Sequence, residues 1–204
     1  MTTVTEVRRR GGPTKGEQRE AAILAATREL LNTRSVNDLT IDEIAKAAGV
    51  SRTSFYFYFP TKQAVVAALL GDLWEEFGHT YAWFDSVGPD RPGLREHHDA
   101  VARVWREHRS TLSCTTGLVD YEPLVEWADK AQRRFVEGLV AKIERDRLAG
   151  FIGLGIDDDP LARMIAELRN IQFREISVLE GAAYEQALDD FTEVVLRMIY
   201  GSVS

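Results

Sequence analysis

Apolar residues recur every three or four positions along most of the chain, which is the spacing of one face of an α-helix. A convincing alternation of apolar and polar residues, as in a half-buried strand, is missing from the sequence. Only the aromatic run Phe55–Phe59 departs from the helical pattern. The pattern therefore predicts an all-α fold.

Glycine and proline divide this pattern into about nine predicted helices. They concentrate in residues 86–92 (SVGPDRP) and 150–160 (GFIGLGIDDDP), where we expect loops. The predicted helices cover residues 17–32, 40–48, 51–59, 61–84, 94–112, 115–121, 123–148, 160–180 and 184–199. We expect a disordered basic arm over residues 1–16, a three-helix domain over residues 17–63 and a larger helical domain over residues 64–204.

The second and third predicted helices have the pattern of a helix-turn-helix. Thr40 precedes Glu43 by three residues, which is the capping-box spacing at a helix start. Ala45 is small enough for two helices to cross closely, and Gly49 suits the left-handed turn between them. A helical hairpin inside a bundle is the alternative, but the residues after the turn are too polar for a buried helix.

The third predicted helix presents groups that suit double-stranded DNA. Phe55 and Phe59 face inward, which leaves the polar and aromatic residues between them on the outer surface. Arg52 could bind a guanine edge, and Phe57 could pack against a thymine methyl group. Hydroxyl groups and helix starts could bind phosphates. The candidate DNA-binding residues are Thr40, Ser51, Arg52, Thr53, Ser54, Tyr56, Phe57, Tyr58 and Lys62.

The charge distribution agrees with a DNA-binding first domain, although the net charge is −7. Residues 1–70 carry ten Lys/Arg and seven acids, whereas the remaining residues carry 15 bases and 25 acids. Arg8, Arg9, Arg10 and Lys15 form a basic arm that could follow the DNA backbone, or could be a tail without contacts. The single cysteine, Cys114, suits a reducing cytoplasm. The longest apolar run has seven residues, so we expect no membrane span.

Residues 17–72 resemble the TetR family of bacterial repressors. The similarity rests on REAAILAATRELL, on TIDEIAKAAGVSRTSFYFYFPTKQAVVAALL, and on the aromatic-Tyr-aromatic-Tyr-Phe-x-x-Lys pattern at Phe55–Lys62. FYFYFPTK is most similar to the ethionamide-resistance repressor subgroup, although many family members carry His where this chain has Tyr58. The resemblance implies a homodimer on a roughly palindromic operator, controlled by a small molecule in the larger domain.

The larger domain is rich in aromatic residues that could line a ligand cavity or fill the core. The candidate ligand-binding residues are Phe77, Trp105, Tyr121, Trp127, Phe135, Asn170 and Phe173, with Gln172 as a further polar partner. The last two helices carry more apolar residues than one domain needs and are predicted to form the dimer interface, with burial inside one chain as the alternative. These residues are Ile165, Leu168, Ile171, Ile176, Leu179, Leu188, Phe191, Val195, Met198 and Ile199.

Two other functions are compatible with a helical protein. Glu76 and His79 have the ExxH spacing of di-iron carboxylate enzymes, but such a site needs a second motif and two more glutamates. A helical small-molecule-binding protein without DNA binding is the other alternative. We therefore expect a ligand-responsive, DNA-binding transcriptional regulator, most simply a repressor released by a small apolar effector, without catalytic residues, metal or cofactor.

Overall fold

The computed structural model describes residues 14–114 and 121–201. Over these ranges the chain forms α-helices and two 3-10 helices, Val36–Asp38 and His79–Asp85, and no strand. The predicted all-α fold is confirmed. The α-helices are α1 (Lys15–Leu31), α2 (Ile41–Ala47), α3 (Arg52–Tyr58), α4 (Lys62–Gly78), α5 (Arg91–Glu107), α6 (Arg109–Ser113), α7 (Glu122–Leu148), α8 (Asp158–Ile176) and α9 (Gly181–Tyr200). None of the helices in the described ranges is both long enough and apolar enough to span a membrane.

Several helix boundaries differ from the prediction because local capping was overlooked. α1 begins at Lys15, since Thr14 and Glu17 form a capping box in which Glu17 N donates to Thr14 Oγ1 over 3.2 Å. Residues 14–16 are thus structured, while residues 1–13 of the predicted arm lie outside the described chain. The predicted helix over residues 115–121 also lies almost wholly outside it.

Two long predicted helices are interrupted. The helix expected over residues 61–84 is α-helical only to Gly78 and continues as a 3-10 helix. The helix expected over residues 94–112 begins earlier, at Arg91, because the Asp90 side chain accepts a hydrogen bond from Gly93 N. It is broken at His108, whose backbone (φ −117°, ψ 21°) is not helical and separates α5 from α6.

The chain divides into two compact units, Met1–Val66 and Ala67–Ser204. In the N-terminal unit α1, α2 and α3 enclose a small core. Ile23, Ile44 and Phe55 are fully buried in it. This core holds the helix-turn-helix.

In the C-terminal unit α5, α8 and α9 meet around His98. Its ring lies 4.5 Å from that of Phe191 and 5.6 Å from that of Phe173. Thr192 Oγ1 donates to Leu188 O, so His98 Nδ1 donates to Thr192 Oγ1 over 2.9 Å. Burial lowers the pKa of His98 well below its ordinary value, and the histidine is a neutral core residue.

A buried ion pair ties the loop before α5 to α7 and α9. Lys142 Nζ lies 3.0 Å from Asp146 Oδ2, and both side chains are fully buried. The ammonium also donates to Ser86 O, while Tyr200 OH donates to Asp146 Oδ2 over 2.6 Å. Burial raises the pKa of Asp146, but the hydrogen bonds from Gly88 N, Tyr200 and Lys142 outweigh it and hold this pKa below its ordinary value.

Candidate DNA-binding surface and effector cavity

The turn between α2 and α3 fixes where the candidate recognition helix begins. Val50 N donates to Ala45 O over 2.9 Å, and Gly49 N donates to Lys46 O over 3.2 Å. These two bonds form a Schellman motif, which places Gly49 in the left-handed region at φ 68°. Ser51 then caps α3, because its hydroxyl oxygen accepts from Ser54 N over 3.1 Å.

The two faces of α3 differ as the sequence predicts. Phe55 and Phe59 are buried. On the opposite face Phe57 is 83% exposed and Tyr56 is 44% exposed. Arg52 and Thr53 are also exposed, whereas Ser54 and Tyr58 are half-buried. The outer surface of α3 therefore brings a cation, hydroxyl groups and an unusually exposed aromatic ring together.

Arg52 does not stand alone on this surface. Its Nη1 lies 2.5 Å from Asp42 Oδ2, and its Nη2 donates to Tyr56 OH over 3.2 Å. Both partners are exposed, so water screens the ion pair and the arginine can exchange Asp42 for another acceptor at little cost. Asp42 was not foreseen as a partner, although its place in the first turn of α2 is evident in the sequence.

Two of the predicted DNA-binding residues are engaged inside the N-terminal unit. Lys62 Nζ donates to Asn37 O over 2.9 Å and to Leu39 O over 2.6 Å. The ammonium is held by carbonyl groups at the end of a 3-10 helix, whereas the sequence suggested that it adds positive charge for a phosphate beside the start of α4. The Thr40 hydroxyl donates to Glu43 Oε2 over 2.7 Å while accepting from Glu43 N. Both side chains fix the local fold before any contact with DNA.

The C-terminal unit contains a cavity of about 220 Å³. Five of the seven predicted ligand-binding residues contribute to its wall. They are Phe77, Trp105, Trp127, Phe135 and Asn170. Tyr81, Gln132, Arg169 and Arg174 also line it, and sequence reasoning missed all four.

Two predicted residues are not in the cavity wall. Phe173 is fully buried, and its ring packs edge-on against Phe191 at 5.4 Å. Tyr121 precedes α7 and is only half-buried. Gln172, the further polar candidate, is also absent from the wall. The core was the alternative for each aromatic residue, and for Phe173 the core is where the ring lies.

Arg169 is the most unusual group in the wall. It belongs to a buried stripe of α8 that is otherwise apolar and includes Ala162, Ile165, Ala166, Phe173 and Ile176. A cation at helical spacing within an apolar stripe was the sequence signal that could have revealed it. Its guanidinium carbon lies 4.0 Å from the centroid of the Phe135 ring.

The ExxH motif does not assemble a metal centre in the part of the chain that the structure describes. Glu76 Oε2 lies 3.0 Å from His108 Nε2, and Glu107 completes a cluster with ligand-like spacing. Glu76 and Glu107 are exposed, and the cluster lacks the further carboxylates of a di-iron site. The structure does not describe the side chain of His79.

Comparison with known proteins shows which family the N-terminal part of the chain matches and which proteins the whole chain is similar to. Residues 23–69 match the family described as bacterial regulatory proteins, tetR family. The chain is 28% identical to the HTH-type transcriptional regulator EthR of Mycolicibacterium smegmatis, over 100% of this chain and 98% of that protein. Over 62 residues it is 50% identical to EthR of Mycobacterium tuberculosis strain H37Rv, which covers 30% of this chain and 29% of that protein. Residues 23–69 are therefore a TetR-family regulatory domain, and the chain as a whole is similar to EthR.

Solved structures of TetR-family proteins have the same fold. A tetR-family transcriptional regulator from Streptomyces coelicolor superposes with a TM-score of 0.68 at 17% identity, covering 89% of this chain and 80% of that one. The family match over residues 23–69 contains the whole segment Phe55–Lys62, on which the resemblance rests.

Proposed function

We propose that this chain is a repressor that binds a roughly palindromic operator as a homodimer and is released by a small, largely apolar effector. Because it carries a TetR-family regulatory domain, the chain is a DNA-binding transcriptional regulator. The observation that carries the proposal is the outer face of α3, where Arg52, Tyr56 and Phe57 are exposed while Phe55 anchors the helix.

The dimensions of α3 suit a major groove. Its seven residues span about 10 Å at about 1.5 Å per residue, and the groove is about 12 Å wide. Arg52, at the start of the helix, can present its planar fork to a guanine, while Phe57 offers an apolar surface to a thymine methyl group. Tyr56 can donate to a phosphate.

The proposed homodimer uses α8 and α9, but not all the residues that the sequence suggested. Ile165, Ile176, Leu188, Phe191, Val195 and Ile199 are buried within one chain. On α8 and α9, three residues of the predicted set remain at least partly exposed, and two large apolar residues outside that set join them. Met164 (53% exposed), partly exposed Leu168 and Ile171 (51% exposed) lie four and three residues apart on α8. On α9, Val194 is exposed and Met198 partly exposed. A second copy would bury this surface.

The cavity supports ligand response, because its aromatic wall and few polar groups are typical of small-molecule sites. Phe77, near the end of α4, contributes to the wall, while Lys62, at its start, bonds to carbonyls of the N-terminal unit. Because α4 begins in the N-terminal unit and ends in the C-terminal unit, we expect an effector in the cavity to change the affinity for DNA. Coupling of about 1–3 kcal/mol, or about 5–150-fold in affinity, is usual for such regulators.

A band-shift titration tests DNA binding. The probe is the DNA flanking the protein's own gene, searched first for an inverted repeat. The double variant Arg52→Ala with Tyr56→Phe should bind this DNA about tenfold more weakly or worse. The matched control is Arg163→Ala, since Arg163 is also exposed and paired with a carboxylate, Asp159. Unchanged affinity of the double variant would favour a small-molecule-binding protein without DNA recognition.

Sedimentation velocity tests the dimer surface. Ile171→Asp places a charge in the exposed stripe of α8 and should yield monomers. Val87→Asp is the control, because Val87 is an exposed apolar residue outside α8 and α9. If Ile171→Asp remains a dimer, the interface lies elsewhere.

A further inference from the structure

Arg169 is a buried cation whose donors are not all used. The residue is only 8% exposed, and its Nε and Nη1 atoms are buried without a protein acceptor. The Phe135 ring lies against the guanidinium and stabilises its charge, but a ring face does not satisfy N–H groups that point elsewhere.

The charged groups around the cavity do not neutralise Arg169. Among the residues that the structure describes, the cavity wall contains a second arginine, Arg174, and no aspartate or glutamate. Glu167 lies nearby on α8, but its Oε1 accepts from Gln132 over 2.7 Å. Glu175 lies 3.7 Å from Arg174 and is exposed. Burial lowers the pKa of Arg169, and the nearby Tyr81 hydroxyl opposes this shift. In the described part of the chain, no carboxylate forms an ion pair with Arg169.

The positive charge of the cavity wall contrasts with the negative net charge of residues 71–204. Residues 71–204 carry 15 bases and 25 acids, yet the cavity wall collects two of those bases and none of the described acids. A buried cation without a counter-ion destabilises the fold, so an apolar residue at position 169 would suit a simple core better. The structure therefore points to a partner that the ligand supplies.

A carboxylate fits the unused donors best. The guanidinium fork is planar and binds a carboxylate through two parallel hydrogen bonds. A neutral carbonyl group would satisfy one N–H and leave the charge uncompensated. Phe77, Trp105 and Trp127 would then cover the apolar remainder of the ligand.

We propose that the cavity binds an amphipathic carboxylate, with the carboxylate on Arg169 and a chain or ring against the aromatic wall; this rests on the proposed function of the cavity as the effector site. At about 220 Å³ the cavity lies below the usual range of about 300–1,000 Å³ for ligand pockets. The ligand is therefore of the size of a medium-chain fatty acid or a small aryl-alkanoic acid.

Isothermal titration calorimetry with three matched probes tests this inference. Octanoate, octanamide and octylamine have the same chain and differ in the charge of the polar end. The wild-type protein should bind octanoate about tenfold or more tightly than octanamide, and octylamine least well. Arg169→Met should lose the preference for octanoate. Arg163→Met, on the exposed side of the same helix, should keep it.

Two further measurements separate a binding role from a structural one. Without added ligand, Arg169→Met should have a higher melting temperature than the wild type, because an uncompensated buried charge is removed. Arg169→Lys keeps the charge but loses the fork, and it should bind octanoate with intermediate affinity. A lower melting temperature for Arg169→Met would identify Arg169 as a structural residue and overturn the inference.

Other results would also overturn it. These are equal affinity of the wild type for octanoate and octanamide, a preference that survives in Arg169→Met, or no binding of octanoate at about 1 mM. A band shift in the presence of each probe distinguishes the two proposals. If octanoate binds through Arg169 but does not release DNA, the proposed carboxylate site is supported and the proposed effector role of the cavity is wrong. If octanamide releases DNA as well as octanoate does, the effector role of the cavity is supported and the inference of a carboxylate ligand is wrong.

Discussion

Asp42 holds Arg52 at the surface that is proposed to meet DNA, with Arg52 Nη1 2.5 Å from Asp42 Oδ2. The aspartate lies in the first turn of α2 and the arginine in the first turn of α3. To bind a base edge, Arg52 must exchange this carboxylate for a DNA acceptor. In the proposed complex the pair would therefore oppose DNA binding, while it keeps the arginine close to the surface of α3.

We expect Asp42→Asn to increase operator affinity. Removing the competing carboxylate should raise it by up to about fivefold, since exposed ion pairs contribute about 0.2–1 kcal/mol. Fluorescence anisotropy with labelled operator at several salt concentrations measures this. Glu20→Gln, on α1, controls for the same change in net charge. Weaker binding of Asp42→Asn would mean that Asp42 positions Arg52 productively.

Lys62→Met should destabilise the N-terminal unit and not merely weaken DNA binding. Its ammonium donates to Asn37 O and Leu39 O, and hydrogen bonds from charged groups contribute about 1.5–3 kcal/mol. We expect urea denaturation to show a loss of about that size. Lys46→Met, at an exposed position on α2, should stay within about 0.5 kcal/mol of the wild type. If both variants are equally stable, the Lys62 hydrogen bonds do not stabilise the unit, and phosphate binding becomes the better explanation for this lysine.

Glu43 should make the stability of the N-terminal unit depend on acid pH. The hydrogen bond from Arg34, followed by those from Thr40, lowers the pKa of Glu43 from 4.5 to about 2. Because the folded pKa is lowered, the stabilisation is present above about pH 4.5 and is lost as the pH falls toward about 2. Glu43→Gln keeps the cap geometry without the charge.

Chemical denaturation of wild type and Glu43→Gln between about pH 6 and about pH 3 checks this linkage. The difference in unfolding free energy between them should narrow as the pH falls. A difference that is constant over this range would show that the charge of Glu43 makes no contribution. Glu20→Gln serves again as the control for an exposed glutamate of the same unit.

Replacing only one partner of the buried Lys142–Asp146 pair should strongly lower the free energy of unfolding. Lys142→Met leaves the Asp146 carboxylate buried with fewer partners, so we expect a loss of about 3–5 kcal/mol. The double variant with Asp146→Asn removes both charges and should lose less than the sum of the single variants. Thermal and denaturant unfolding measure the cycle, with exposed Arg133→Met on the same helix as the control. Additive losses would show that the two charges are not coupled.

The helix-turn-helix could be predicted because its determinants are close in sequence. Thr40, Glu43, Gly49 and Ser51 act on backbone groups within five residues, so the caps and the turn are determined by local chemistry. The same local logic predicted which face of α3 is buried. The capping residues Thr14 and Asp90 are also evident in the sequence. Because they were overlooked, the starts of α1 and α5 were predicted too late in the chain.

The sequence by itself determined the helices, the turn and the outer face of α3, because periodicity and capping act within one or two turns. Only the tertiary structure decided that Lys62 bonds to carbonyl groups more than twenty residues away, that Phe173 belongs to the core, and that Arg169 lines a cavity. Each of these outcomes depends on which helices pack together. A side chain that interacts across two helices finds its partners only when the whole unit has folded.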